Sequence, residues 1–441
     1  KWGRRFEPVG SNNVYDHELY AGRAPNTARP GDLEEMPDID EMVSAEDILS
    51  FDTDPGEPAK LLIVVHHLAV DGVSWRILLE DLALACQQLR RNEAIRLPQA
   101  TSTLTAWASR LSQYVQLEMT TDQQQYWRLP SALPLFPRDD DVVGRESAGA
   151  DGPVAIELEI SYTQTFLRDA ARVYRTSPLE LLVAALLACV TRRLGTSQLY
   201  IDLEGHGRED LFSQIDLSRS VGWFTSLYPV LLESPSTEAQ ATITAVKGIL
   251  RSVPDNGIGF GALRYLGTDA QRAAAEQIPT PPISFNYLGQ SDQVLPDDSP
   301  IRLADGPVGD STAKQNPRPH LIEINALVRH GRLCFEWVWD DRHIHKETIQ
   351  QWASSYLDVL REFLDHCGNK VTCDFTPSDF PLANIDAAHL DQVLAAVHAE
   401  AVENVLPVSA TQQGILFHRE AAPDSDSYIM QLRLRLGGSL D

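Results

Sequence analysis

A chain of 441 residues is too long for one compact core and suits two or three domains of roughly 150 residues each. Its 43% hydrophobic and 22% charged content is that of a globular protein, and a net charge of −25 argues against nucleic acid or anionic membranes, which select cationic surfaces. The longest apolar run, Leu181 to Val190, is shorter than the ~20 residues a bilayer span requires, and nothing at the N-terminus reads as a signal peptide. Cys86, Cys189, Cys334, Cys367 and Cys373 are odd in number and lack zinc-finger spacing. They read as reduced thiols of a cytoplasmic protein. The chain opens on Lys1 rather than Met, so a piece of a longer polypeptide is expected.

Residues 1–60 hold little periodic structure. Asn26 to Asp40, rich in Pro, Gly and acid, reads as a loop, and Ala45 to Leu49 as a short helix. Leu61 to Val65 has the length and β-branched content of a buried strand. Trp75, Leu78, Leu79, Leu82, Cys86 and Leu89 then recur at helical spacing, with Asp71 or Ser74 as the cap. His66 and His67 therefore sit where a strand ends and a helix begins, a place from which a rigid scaffold can aim a base at a substrate. The alternative is a pair of strand-end histidines packed on the core. Trp107 to Trp127 is helical, and Leu129 to Gly152, with its prolines and Asp-Asp-Asp, reads as a linker and subdomain boundary.

The second half opens on an alternating strand, Val154 to Ile160. Ser161 with Gln164, and Ser177 with Pro178 and Glu180, fit helix-opening patterns. The second of these helices runs to Leu194, stops at Gly195 and is apolar nearly all round, as a buried central helix should be. Leu199 to Leu203 is a strand that delivers Glu204. A strand at Ile283 to Leu288 follows, then a hairpin of Leu321 to Val328 and Leu333 to Trp339 turning at His330-Gly331. A helix from Lys346 to His366 carries Ile349, Trp352, Tyr356, Leu360 and Phe363 on one face. Strands alternating with helices define an α/β (α+β) class.

HHLAVDGVSW, residues 66–75, resembles the HHxxxDG signature of condensation and epimerization domains of nonribosomal peptide synthetases, and its Val-Ser-Trp ending is closer to the epimerization branch. Four further stretches match the epimerization pattern in the family's order: EGHGRE at 204–209, RSVGWFTSLYPVLLE at 219–233, PDNGIGFG at 254–261 and FNYLGQ at 285–290. Condensation domains share the first element but are not expected to carry EGHGRE together with FNYLGQ. Two positions depart from the pattern: Ser291 stands where Phe is usual and Phe260 where Tyr is usual. LPVSATQQGILFH, residues 406–418, resembles the opening motif of a condensation domain.

The resemblance implies two chloramphenicol-acetyltransferase-like subdomains arranged as a V. These are residues 1–150, lacking the family's first motif, strand and helix and so apparently truncated, and residues 151–374. A linker carrying one short helix (375–404) and the start of a downstream condensation domain (405–441) would follow. It implies epimerization, L to D, of an aminoacyl or peptidyl thioester carried on the 4'-phosphopantetheine of an upstream peptidyl carrier domain, with no metal or redox cofactor. The alternatives are a condensation domain forming a peptide bond with the same His67, or a catalytically silent docking module.

Epimerization needs groups that remove and return the α-proton and donors for the enolate oxygen. The resemblance marks His67 for acid/base work, and an imidazole titrates near neutrality. Glu204 can face it from the other subdomain. Otherwise Glu204 answers Arg208 or Arg219 as a structural carboxylate. Tyr287 can donate to the enolate or relay a proton, and the Asn286 amide can fix the thioester carbonyl. His66 and Trp75 read as orienting residues and Asp71 as an anion that pairs with an arginine and pins the loop. Tyr228 and Trp223 read as shaping the cleft. Gly205 and Gly207 would let a substrate arm approach the backbone.

Overall fold

Ile48–Phe51 (β1) and Lys60–Ile63 (β2) pair antiparallel as a two-stranded sheet. The short helix expected over 45–49 is thus replaced, from Ile48 on, by a strand, because cross-strand pairing overrides a weak local preference. The expected buried strand is also shorter and wetter than its composition suggests: Leu61 and Val64 are about half exposed, since a two-stranded sheet leaves faces uncovered. The computed structural model describes residues 48–51, 60–128, 133–139, 152–290, 295, 299–302, 318–369, 375–397, 402–422, 430–435 and 437. The loop expected at 26–40, most of the linker, Ser291 and Cys373 lie outside them.

After β2 the chain turns into α1 (Gly72–Arg90). The helical stretch that follows is broken: α2 (Leu104–Gln113) passes into a wider turn over Tyr114–Glu118, and a new helix restarts at Thr121. Thr120 causes the restart, because its hydroxyl accepts from Gln123 N–H while the Gln123 side chain returns to the Thr120 N–H. The strand β3 (Val154–Glu157) stops short of Ile160, which already begins a helix capped at Glu159 rather than at Ser161. The next helix, α3 (Pro178–Leu194), has the expected Ser177–Glu180 capping box, Pro at its first turn and left-handed Gly195 at its end. Every side chain from Glu180 to Thr191 is buried, and each buried Leu or Val contributes about 1.5–3 kcal/mol.

The remaining strands are β4 (Gln198–Gly205), β5 (Ser226–Glu233), β6 (Ile283–Gln290), β7 (Ile322–Arg329) and β8 (Arg332–Trp339). With β3 they form one mixed six-stranded sheet in the order β3-β8-β7-β6-β4-β5, parallel at β4/β6 and β6/β7 and antiparallel elsewhere. Pro229 is tolerated because β5 is an edge strand. Between β5 and β6 lie α4 (Ala239–Ser252) and α5 (Ile258–Tyr265), and α6 (Lys346–Asn369) closes the unit. One face of the sheet is apolar: Leu199, Ile201 and Leu203 of β4, Ile283 and Phe285 of β6, and Ile322, Ile324 and Ala326 of β7 join α3, α4 and α6 in one core. The pleat sends the intervening residues of those strands to the opposite face.

The chain divides into two compact units, residues 1–370 and 371–441. The subdomain boundary expected near residue 150 falls inside the first of these units. The second unit contains α7 (Ala387–Ala396) and α8 (Ala410–Ala421), the latter capped by a Ser409–Gln412 box. Among the described residues, no single helix is long and apolar enough to cross a membrane.

Candidate active site

Asp71 is the N-cap of α1, and its carboxylate accepts from the Ser74 N–H at 2.8 Å. Arg208, just past β4, donates both terminal guanidinium nitrogens to it at 2.6 and 2.9 Å, and the Phe224 N–H adds a bond of 3.0 Å. Ser74 extends the knot, accepting from Gly222 N–H and Arg208 while donating to the Gly222 carbonyl. Both charged side chains are under a tenth exposed. Burial pushes the Asp71 carboxyl up, but the hydrogen bonds from Arg208, Ser74 and Phe224 outweigh it and hold the group below its ordinary value. Arg219 is spent elsewhere, on Asp81 and Glu80 of α1. Two motifs distant in sequence, EGHGRE and RSVGWFTSLYPVLLE, are thereby fastened to the start of α1.

Gly207 belongs to this fastening. Its backbone is left-handed, and a Cβ there would meet the Phe224 carbonyl oxygen at 1.6 Å. The absent side chain thus makes room for the protein's own 224–226 segment, not for the substrate arm expected there.

His66 and His67 stand in the turn between β2 and α1. The His66 Nδ1 accepts from Leu68 N–H at 3.1 Å, which tightens the turn. The His67 ring meets the Trp223 ring edge-on at a centroid distance of 5.3 Å. Trp75 sits half-buried on α1, its backbone N–H donating to the Asp71 carbonyl.

His67 and Trp223 line a cavity of about 780 Å³ whose floor is the polar face of the sheet. Asp202 and Glu204 come from β4, Ser284 and Asn286 from β6, and Glu323 and Asn325 from β7. Glu204 pairs with neither Arg208 nor Arg219. Its carboxylate accepts from the Asn286 amide at 2.6 Å. Burial pushes the Glu204 carboxyl up to about 6, the Glu323 carboxylate adds to the rise, and His320 and the Asn286 bond oppose it. His67 and Glu204, the two expected acid/base groups, therefore share one cavity.

Tyr287 does not join them. It is one residue on from Asn286, so the strand sends its ring to the other face, where it packs on the core and meets Phe166 at a centroid distance of 6.1 Å. Tyr228 likewise faces the core, beneath Gly257 and beside Trp127. Trp223, not Tyr228, shapes the cavity. Phe260 also lines it and packs on Trp127.

Sequence reasoning passed over the pair Asp202–His320. Its members are 118 residues apart, buried, and 2.8 Å from Nε2 to carboxylate. A signal existed for Asp202, though not for its pairing with His320: Asp202/Glu204, Ser284/Asn286 and Glu323/Asn325 repeat a polar residue at every second position in three otherwise apolar strands. Among the described residues no group of His, Cys, Asp and Glu could hold a metal ion.

The chain matches the condensation domain family over residues 56–384 and belongs to that family. It is 40% identical to part of a linear gramicidin synthase of Brevibacillus parabrevis over 87% of this chain, and 37% identical to part of a mycosubtilin synthase of Bacillus subtilis over 86%. The chain spans only 5% and 15% of the length of those relatives. Among solved structures it resembles the epimerization domain from the third module of tyrocidine synthetase B, with 31% identity, a TM-score of 0.65, and coverage of 73% of this chain and 72% of that one.

Proposed function

We propose that this domain epimerizes the α-carbon of an aminoacyl or peptidyl thioester, L to D, within a cytoplasmic nonribosomal peptide synthetase. The thioester would be presented on the phosphopantetheine arm of an upstream carrier domain, and the product passed to a downstream condensation domain. The supporting observation is Glu204: a carboxyl raised to about 6, facing the cavity that His67 also faces, and free of any arginine. Peptide-bond formation has no use for a second acid/base group there. Similarity to a solved epimerization domain favours the same choice.

One of the two groups takes the α-proton, and the C–H electron pair moves into an enolate whose negative charge rests on the thioester oxygen. The other group returns a proton to the opposite face of the α-carbon. A carboxyl raised to about 6 can hold or release a proton near neutral pH, the condition for efficient general acid–base catalysis. Asn286 has one amide N–H committed to Glu204, and its second is suited to the carbonyl oxygen. Trp223 fixes the His67 ring from the side. Asp71 and Arg208 act by holding the start of α1, not by touching substrate.

The test is heavy water. With L-aminoacyl and L-peptidyl thioesters on the upstream carrier domain and no acceptor, the domain should place deuterium at the α-carbon and yield mixed D and L thioesters. A His67→Ala variant that stays folded should yield no mixture of D and L thioesters. No deuterium, but an amide once an amine-bearing acceptor carrier is added, would make it a condensation domain. Neither product, with carrier binding intact, would make it a docking module.

A further inference from the structure

Glu204 shares its side of the sheet with charged groups that the proposed chemistry does not use. Asp202 lies two residues back on β4 and so on the same face. It is bonded to His320, which stands in the segment entering β7, and both side chains are buried. Glu323 of β7 lies across Ser284 from Asp202, in register through β6. All three border the cavity that Glu204 faces. We propose that the Asp202–His320 pair and Glu323 are positioning residues that set the proton affinity of Glu204 across this cavity.

The Asp202 carboxyl and the His320 Nε2 lie 2.8 Å apart; burial raises the Asp202 carboxyl, and the bond to His320 opposes that rise. Glu323 is balanced more loosely, by Arg318 at 3.6 Å on the rim. The other charged or titratable groups bordering the cavity are Arg264 and Tyr265 of α5 and His67 from the turn before α1. None of these three is bonded to Glu204; Asn286 holds that carboxylate. An added or removed charge facing the same cavity, on the same strand or two strands away across β6, acts on the ionisation of Glu204. The arrangement predicts opposite signs. Removing a carboxylate makes Glu204 easier to ionise, whereas removing His320 leaves Asp202 unbalanced and makes Glu204 harder to ionise.

The inference rests on the proposed function only for its kinetic consequence, so the experiment reads Glu204 itself. The full chain, carrying 13C-carboxyl-labelled glutamate, is titrated by NMR, with Glu204→Gln as the blank that assigns the signal. The wild-type midpoint is expected near 6, shifted down in Asp202→Asn and Glu323→Gln and up in His320→Gln. Glu323→Gln leaves the buried pair untouched, so the sign can be read even if loss of Asp202 or His320 prevents folding. If the domain exchanges α-protons in heavy water, the matching limb of its pH profile should move the same way in each variant. A purely structural pair would change the amount of folded protein without moving the midpoint. Unmoved midpoints in folded variants, or shifts of one sign in all of them, would overturn the proposal. A chain that shows the shifts yet exchanges no α-proton would retain this inference and lose the epimerase reading.

Discussion

Two carboxylates introduced by different motifs have opposite fates. Asp71 accepts four hydrogen bonds, two from one buried arginine, and is held below its ordinary ionisation range. Glu204 precedes that arginine by four residues, yet accepts from one neutral amide and is raised to about 6. Strand geometry makes the difference. Glu204 lies within β4 and follows the pleat into the cavity, whereas Arg208 lies beyond the strand's end and folds back over Phe224, 4.3 Å from its ring centre. A saturated carboxylate anchors, and an undersaturated one in a cavity is available for proton transfer.

The largest expected effect breaks the anchored side. Asp71→Ala leaves Arg208 buried and unpaired, which should cost about 3–5 kcal/mol in denaturant unfolding and take activity down with it. Normal unfolding with lost activity would move Asp71 to the chemistry. Gly257→Ala should come next. That residue is left-handed, and a Cβ would meet the Tyr228 ring at 2.0 Å, so about 1–3 kcal/mol or more should be lost.

The third prediction sets the two carboxylates against each other through pH. Asp71, held low, contributes stability above its ordinary value of 3.8 and loses it as pH falls through its lower folded value. Glu204, raised from 4.5 to about 6, favours the fold below 4.5, and that contribution fades as pH rises through about 6. Glu204→Gln should therefore gain on the wild type by about 1–2 kcal/mol between about pH 4 and about pH 8, read from paired unfolding curves. A constant difference across that range would mean that Glu204 is not raised. The smallest effect is expected at Tyr287→Phe, which removes a hydroxyl on the core face of the sheet. Its α-proton exchange rate should stay within about twofold of wild type, under 0.5 kcal/mol of barrier. A larger loss would bring that hydroxyl into the mechanism.

What could be read in the sequence was local. The Ser177–Pro178–Glu180 opening, the Gly195 stop and the turn at His330-Gly331 carry their own backbone chemistry, and the structure has each of them. His67 and Glu204 were nameable because their motifs are short and contiguous. Tyr287 was misplaced because adjacent strand residues face opposite ways, and only the sheet's register says which face is the cavity. The Asp202–His320 pair escaped because it joins β4 to the segment before β7, and no local pattern links residues so far apart. The strand at β5 was hidden by Pro229, which reads as a breaker until its place at the sheet edge is known.

The division of labour across the cavity is tested most directly by following stereochemistry and isotope together. Wild type, His67→Ala and Glu204→Gln are each given L- and D-thioesters on the carrier in heavy water. If His67 and Glu204 serve opposite faces, each variant should still exchange the α-proton of one enantiomer, with retention, and lose the other by about 10²–10⁴-fold. The surviving enantiomer should differ between the two variants. Wild-type exchange from both enantiomers in Glu204→Gln, or an equal loss from both in each variant, would contradict the account.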